Sequence, residues 1–66
     1  MLERFENILI CDDDELFRKK TSDMLRNNGY FVFEAATGND AKDKLLRNKI
    51  DLAIVDLILP DYDGSY

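Results

Sequence analysis

Three short apolar segments alternate with two helical patterns, and this order constrains what the 66-residue chain can fold into more than any other feature. The first and third segments, "NILIC" and "IDLAIVDL", are nearly continuous apolar runs with β-branched residues. Such runs are typical of strands buried on both faces of a sheet. The second segment, "YFVFEAA", is rich in aromatic and branched residues, as strands often are. The sequence therefore predicts strands at about 7–11, 30–35 and 51–56.

The two stretches between these strands have the spacing of amphipathic helices. The first, at about 14–27, repeats apolar residues every three or four positions, and Gly29 follows it as a stop signal. The second, at about 38–48, begins after Thr37, with Asp40 three residues further on. That spacing resembles a capping box in which Asp replaces the usual Glu or Gln. The sequence therefore predicts one helix between each pair of successive strands.

Acidic residues lie where two of the predicted strands end. Asp12, Asp13 and Asp14 come directly after the first strand, and Asp56 ends the third. A strand-helix-strand-helix-strand order with short connections predicts a parallel sheet with right-handed crossovers. Ligands of such open sheets bind beyond the carboxyl ends of the strands. If the first and third strands are neighbours, these carboxylates meet at one edge of the sheet.

Carboxylates that meet in this way need a partner, because two of them repel by about 4 kcal/mol at a separation of about 4 Å and an effective dielectric constant near 20. A raised pKa is one remedy, and a hard divalent cation such as Mg²⁺ is another. A carboxylate beside such a cation can act as a nucleophile toward a phosphoryl group, and Asp56 is the candidate. An ionised group in an otherwise apolar strand is costly unless it is paired or coordinated, which also favours a functional role for Asp56. Asp14 is expected to cap the following helix. For Asp12 and Asp13, capping and metal binding both stay open.

Composition narrows the partners and the compartment. Fourteen acidic residues against nine Lys and Arg give a net charge of −5, which opposes binding to nucleic acid or to an anionic membrane and favours a metal ion or a basic partner. No window approaches the roughly 18 apolar residues that span a bilayer. The one cysteine, Cys11, has no disulfide partner within the chain and is expected to be a small buried side chain. Because a chain without a disulfide framework is typical of a reducing compartment, we expect a cytoplasmic protein.

Two motifs resemble those of a known family. The string "ILICDDD" precedes the first helix, and "DLAIVDLILPDYDG" follows the second. Together they resemble the first half of a response-regulator receiver domain, the phosphoacceptor module of two-component signalling, of the chemotaxis-regulator type. The resemblance covers residues 7–64. It implies an α/β, flavodoxin-like fold in three layers, shortened to three parallel strands and two helices, with strand order 2-1-3.

The resemblance also implies a role for each acidic residue. Asp56 matches the phosphoacceptor, which takes a phosphoryl group from a sensor histidine kinase, a phosphotransfer protein or a small acyl phosphate. Asp13 matches a direct ligand of Mg²⁺, or of another divalent cation such as Mn²⁺, and Asp12 a ligand that acts through water. Asp56 and the backbone carbonyl of Ile58 match the other metal ligands. Such a protein is a substrate and self-catalyst of phosphorylation rather than a turnover enzyme.

A complete receiver differs from this sequence, since it has two further strands and about 120 residues. The sequence ends at Tyr66, after an acidic loop at 57–64 that contains Pro60 and Gly64. The second half would supply a hydroxyl group and a lysine to the phosphoryl group, and each lost donor costs about 10² to 10³ in rate. We therefore expect impaired phosphotransfer. One alternative is a non-catalytic half-domain that self-associates through the exposed edge of its third strand, and a metal-dependent hydrolase is a third hypothesis.

Overall fold

The computed structural model describes residues 6–56, which form three strands and two helices. In chain order these are β1 (Asn7–Asp12), α1 (Glu15–Asn27), β2 (Phe31–Ala35), α2 (Gly38–Arg47) and β3 (Leu52–Asp56). The alternation of strands and helices is the one that the sequence predicts. The loop predicted at 57–64 lies outside the described residues. Within residues 6–56, neither helix is long and apolar enough to cross a membrane.

The sheet is parallel, and β1 lies at its centre in the order β2-β1-β3. Leu9 of β1 lies opposite Phe33 of β2 on one side and Ala53 of β3 on the other. The predicted α/β class and the strand order 2-1-3 are therefore confirmed. This arrangement matches the first half of a flavodoxin-like fold.

The core lies around β1, where every residue after Asn7 is buried. One face of the sheet forms a buried cluster with α2: Leu9, Cys11, Ala35 and Ala41. Phe33 and Ile50 are partly buried against this cluster. Because alternate residues of a strand point to opposite faces, Ile8 and Ile10 lie on the other side of the sheet. The side chains of β1 are therefore buried on both faces of the sheet, which makes β1 the element on which the packing depends.

Two arginines of α1 fix this helix to β2 by sharing one carboxylate. Arg18 Nε donates to Glu34 Oε1 at 3.2 Å, and Arg26 Nη1 donates to Glu34 Oε2, also at 3.2 Å. Arg26 Nη2 donates in addition to the backbone carbonyl of Val32 at 3.0 Å. Hydrogen bonds between charged partners are stronger than neutral ones, and partial burial protects them from screening by salt. The sequence patterns did not predict this connection.

The helix termini follow the predicted capping residues. Asp14 is the N-cap of α1, and its Oδ1 accepts a hydrogen bond from the N–H of Phe17 at 3.1 Å. Gly29 follows α1 with a φ of 93°, in the left-handed region that favours glycine. Thr37 is the N-cap of α2, and its Oγ1 accepts from the N–H of Asp40 at 3.0 Å. The expectation that Asp14 caps a helix is therefore confirmed.

β3 is exposed along its whole length, so the prediction that it is a buried strand is wrong. The Val55 side chain, for example, is 61% exposed. β3 pairs with β1, but within residues 6–56 both helices contact β1 and β2 and neither contacts β3. An apolar, β-branched run predicts a strand, whereas its burial depends on what covers the two faces.

Asp51 connects the amino-terminal ends of β1 and β3, at the end of the sheet opposite to Asp12 and Asp56. Its Oδ2 accepts hydrogen bonds from the N–H groups of Asn7 at 2.9 Å and Glu6 at 3.1 Å. Its own N–H donates to the Asn7 carbonyl at 2.8 Å. The hydrogen bond from Asn7 lowers the pKa of the Asp51 carboxyl below its ordinary value of 3.8, with a smaller contribution from Glu6. Backbone donors stabilise the ionised form in this way.

This lowered pKa predicts an acid-dependent contribution to stability. Because the folded state holds Asp51 ionised more strongly than the unfolded chain does, the contribution is complete above 3.8 and is lost as the pH falls through the lower folded pKa. We expect Asp51→Asn to reduce the free energy of unfolding at neutral pH, and the gap to wild type to shrink in acid. Urea denaturation across a pH series measures this gap, with Asp43→Asn as a surface control. A gap that stays constant with pH would contradict the prediction.

Candidate functional site

Two aspartates occupy neighbouring positions at the carboxyl end of the sheet. Asp12 is the last residue of β1, Asp56 is the last residue of β3, and the two are register partners. The sequence places the end of the first strand at Cys11, and the structure extends it by one residue. The sequence predicts that these aspartates lie at one edge if the first and third strands are neighbours, and the strand order shows that they are.

A small cavity lies at this end of the sheet. Its volume is about 230 Å³, and it is lined by Asp12, Asp13, Asp14, Phe17 and Asp56. A water molecule in the liquid occupies about 30 Å³. The cavity therefore has room for a hydrated ion or a phosphoryl group, but it is smaller than the roughly 300 to 1,000 Å³ of sites that enclose drug-sized ligands.

Asp12 is the buried carboxylate of the cavity, since the residue is 5% exposed. Its Oδ1 accepts a hydrogen bond from the N–H of Asp14 at 2.9 Å. Its backbone carbonyl accepts from Arg18 Nη1 at 2.7 Å. A buried carboxylate is costly without a hydrogen-bond donor, and the Asp14 N–H supplies one to the carboxylate itself. The sequence predicts this cost for Asp56, but Asp56 is exposed and Asp12 is buried, so the charge that needs compensation is that of Asp12.

The other lining residues take different positions. Asp13 and Asp14 are exposed, and the Asp14 carboxylate is engaged as the N-cap of α1. Phe17 forms an apolar wall of the cavity and is also exposed. The sequence patterns do not identify Phe17 as a residue of this site. Phe17 lies three residues after the N-cap Asp14, so the first turn of α1 places both residues at the same end of the helix, beside the cavity.

The donor set at the cavity consists of oxygen atoms, which suits a hard divalent cation. Within residues 6–56, no three side chains of Asp, Glu, Cys or His lie close enough together to hold a metal ion between them. Mg²⁺ does not require such a cage, because it binds through one or two carboxylates and keeps several waters. The site is therefore compatible with Mg²⁺ held by a pair of carboxylates. The fourth predicted ligand, the carbonyl of Ile58, lies outside the described residues.

Cys11 lies next to this site but behaves as part of the core. The residue is fully buried, and its Sγ lies 3.4 Å from the backbone carbonyl of Thr37. Burial raises the pKa of the Cys11 thiol, and the nearby carboxylates of Asp40 and Asp12 raise it further. The thiol is therefore protonated and unreactive near neutral pH. This confirms the prediction of a small buried side chain.

Three relatives show the range of proteins that the chain is similar to. It is 36% identical over 59 residues to sporulation initiation phosphotransferase F of Bacillus subtilis. The aligned residues cover 89% of this chain and 48% of that protein. It is 36% identical over 63 residues to the probable transcriptional regulator ycf27 of Guillardia theta, an alignment that covers 96% of this chain and 25% of that protein. It is 40% identical over 58 residues to the transcriptional regulatory protein PdtaR of Mycobacterium tuberculosis, an alignment that covers 86% of this chain and 28% of that protein. The chain thus spans between a quarter and about half of the length of these relatives.

The family comparison covers nearly the whole sequence. No solved structure matches the chain significantly. The family profile described as the response regulator receiver domain matches residues 8–66, a range that contains all four aspartates of the cavity. The chain therefore belongs to the response regulator receiver domain family.

Proposed function

We propose that this chain is a phosphoacceptor in two-component signalling and that Asp56 receives the phosphoryl group. The register pair formed by Asp12 and Asp56 is the observation that supports this most directly. It brings a buried carboxylate and an exposed one to the same end of the sheet, on the wall of one cavity. The exposed Asp56 is accessible to a phosphoryl donor, and the buried Asp12 is held in place beside it.

Transfer to Asp56 is a displacement at phosphorus. One carboxylate oxygen of Asp56 forms the new bond to phosphorus, and the bond from phosphorus to the donor atom breaks. The donor atom is an imidazole nitrogen of a phosphohistidine or an oxygen of a small acyl phosphate. The leaving group keeps the electron pair of the broken bond. The product is an acyl phosphate on Asp56.

We assign Asp13, Asp56 and the carbonyl of Ile58 as direct ligands of Mg²⁺ or Mn²⁺, with Asp12 acting through water. When bound, the cation neutralises negative charge on the transferring oxygens. The hydrogen bond from the Asp14 N–H fixes the Asp12 carboxylate before any ligand arrives. The capped start of α1 thus keeps residues 12–14, the acidic segment, in one conformation, which lowers the entropic cost of ordering this segment during the reaction.

The donor in this proposal is a sensor histidine kinase or a phosphotransfer protein of the cytoplasm. The chain is itself modified, so it acts as a substrate and self-catalyst rather than as a turnover enzyme. One relative is named as a phosphotransferase and another as a transcriptional regulator, which supports a place in signalling. The net charge of −5 disfavours direct binding of this segment to nucleic acid.

Acetyl phosphate provides the test. We expect the whole chain, incubated with acetyl phosphate and Mg²⁺, to gain the mass of one phosphoryl group, and chelation of the cation by EDTA to prevent the gain. Beryllofluoride, which mimics an acyl-bound phosphoryl group, is expected to shift the amide NMR signals of residues 12–14 and 56. A folded sample that shows neither change would contradict the proposal.

A second candidate function is non-catalytic self-association through β3. β3 ends the sheet within residues 6–56, and three of its apolar side chains are exposed: Leu52, Ile54 and Val55. An uncovered strand edge offers its N–H and C=O groups to a further strand. A second copy of the chain presents the same edge, so the two can pair symmetrically.

Sedimentation equilibrium tests this second function. If it holds, the chain is a dimer at micromolar concentration, and Val55→Lys shifts it to monomer because a charge on an edge strand opposes pairing. Leu46→Lys, which places the same charge on the exposed surface of α2, serves as the control and is expected to leave the dimer intact. A monomeric wild-type chain would rule this candidate out. A dimer that also incorporates a phosphoryl group would show that association is not its whole function.

A further inference from the structure

Arg18 connects α1 to the acidic end of β1. Its Nη1 donates to the backbone carbonyl of Asp12 at 2.7 Å, while its Nε donates to the carboxylate of Glu34 at 3.2 Å. The Arg18 side chain is 15% exposed. A guanidinium group is a rigid, planar fork of donors. Because two separate nitrogens of this fork are engaged, the orientation of the group is fixed relative to both strands.

The carbonyl that Arg18 binds belongs to the peptide between Asp12 and Asp13. β1 pairs with β2 as far as Cys11 and Ala35, so Asp12 lies one residue beyond the end of that ladder. Buried carbonyl groups need a hydrogen-bond partner. Since the peptide unit is planar, a hydrogen bond to its oxygen also constrains the directions in which the Asp12 and Asp13 side chains leave the backbone.

Arg26 provides a comparison within the same helix. It binds the same Glu34 carboxylate at the same distance of 3.2 Å, and it also donates to a strand carbonyl, that of Val32 at 3.0 Å. Val32 pairs with Ile8, which is remote from the acidic end of the sheet. The two arginines therefore make contacts of the same chemical kind, and they differ in that Arg18 reaches the acidic segment.

We propose that Arg18 is a positioning residue for the divalent cation, a role that rests on the proposed phosphoacceptor function. Its guanidinium holds the peptide between Asp12 and Asp13 so that both carboxylates are oriented toward the cavity before the cation binds. Groups that orient metal ligands without touching the metal commonly change metal affinity by about 10- to 100-fold.

The sign of the effect separates positioning from simple electrostatics. A positive charge beside an acidic cluster repels Mg²⁺, so loss of the Arg18 charge alone would raise the affinity for the cation. Loss of positioning lowers it. We expect Arg18→Met, which removes the guanidinium but keeps an apolar stem, to weaken Mg²⁺ binding by about 10- to 100-fold. Arg18→Lys keeps the charge and a donor for the Asp12 carbonyl but loses the second arm of the fork, so it retains part of the positioning and is expected to give an intermediate affinity.

Titration of the full chain with Mg²⁺, followed through its amide NMR signals, measures these affinities. Arg26→Met is the matched control, because it loses a bond to Glu34 and a bond to a strand carbonyl but leaves Asp12 untouched. We expect its affinity to stay close to that of wild type. Equal affinities of the two methionine variants, or tighter binding by Arg18→Met, would overturn the positioning role and leave the phosphoacceptor function standing.

Hydrogen exchange in the absence of metal gives an independent readout. The Asp14 N–H, which donates to Asp12 Oδ1 at 2.9 Å, is expected to exchange faster in Arg18→Met than in Arg26→Met. The Asn7 N–H, bonded to Asp51 at the opposite end of the sheet, is expected to exchange alike in both. If Arg18→Met does not fold, the comparison passes to Arg18→Lys, whose unchanged affinity and exchange would refute positioning. A wild-type chain that binds no Mg²⁺ would refute both proposals.

Discussion

Asparagine in place of Asp56 is expected to abolish phosphoryl incorporation from acetyl phosphate, with a loss of about 10⁴-fold or more in rate, the scale seen when an enzyme loses its nucleophile. The amide oxygen of asparagine is uncharged and is a far weaker nucleophile than a carboxylate oxygen. Asp56 is exposed at the end of β3, so the substitution leaves the buried core unchanged. The rate of mass gain, followed by intact-protein mass spectrometry, measures the loss.

Asp23→Asn is the matched control for this experiment, because it makes the same chemical change on the exposed surface of α1. Asp23 makes a long ion pair with Arg26, at 3.8 Å, and lies away from the cavity. We expect this variant to gain mass at the wild-type rate. Persistent mass gain by Asp56→Asn would show that the assignment of Asp56 is wrong. Peptide mapping would then show whether Asp12 or Asp13 holds the phosphoryl group.

The order of the elements and the position of the acidic cavity could be predicted because they depend on local patterns. Asp14 and Thr37 cap helices through bonds to residues three positions away, and Gly29 follows α1 in the conformation that favours glycine. The meeting of Asp12 and Asp56 required one further rule, that parallel strands of an open sheet present their carboxyl ends at one edge. A single sequence is sufficient for inferences of this kind.

Burial and long-range pairing could not be predicted in the same way. Asp56 was expected to be the costly charge, yet Asp12 is buried and Asp56 is exposed, because β3 has no helix against it within residues 6–56. The bond between Arg18 and Glu34 joins residues that lie 16 positions apart. Ser22 is fully buried with no hydrogen-bond partner for its hydroxyl among the described residues. These features depend on how α1 packs on the sheet, which helical spacing alone does not specify.

Leu9→Ala is expected to lower the free energy of unfolding by about 2–5 kcal/mol. Leu9 is 0% exposed, and its neighbours on the flanking strands are Phe33 and Ala53. The smaller side chain loses apolar burial and leaves a cavity at the centre of the sheet. At about 0.05 to 0.15 kcal/mol per residue, a chain of this length has a total stability of only about 3 to 10 kcal/mol. The substitution therefore removes a large share of it, and a lower urea midpoint by circular dichroism measures the effect.

Leu46→Ala isolates the contribution of burial, since it makes the same change at a residue of α2 that is 77% exposed. Leucine and alanine are both good helix formers, so we expect a change within about 0.5 kcal/mol. Equal midpoints for the two variants would mean that the core does not depend on Leu9. Leu9 lies on β1 with Asp12 but does not line the cavity, so we further expect Leu9→Ala to lose Mg²⁺ binding only in proportion to its unfolded fraction. A larger loss would indicate that the position of the acidic segment also depends on packing at the centre of the sheet.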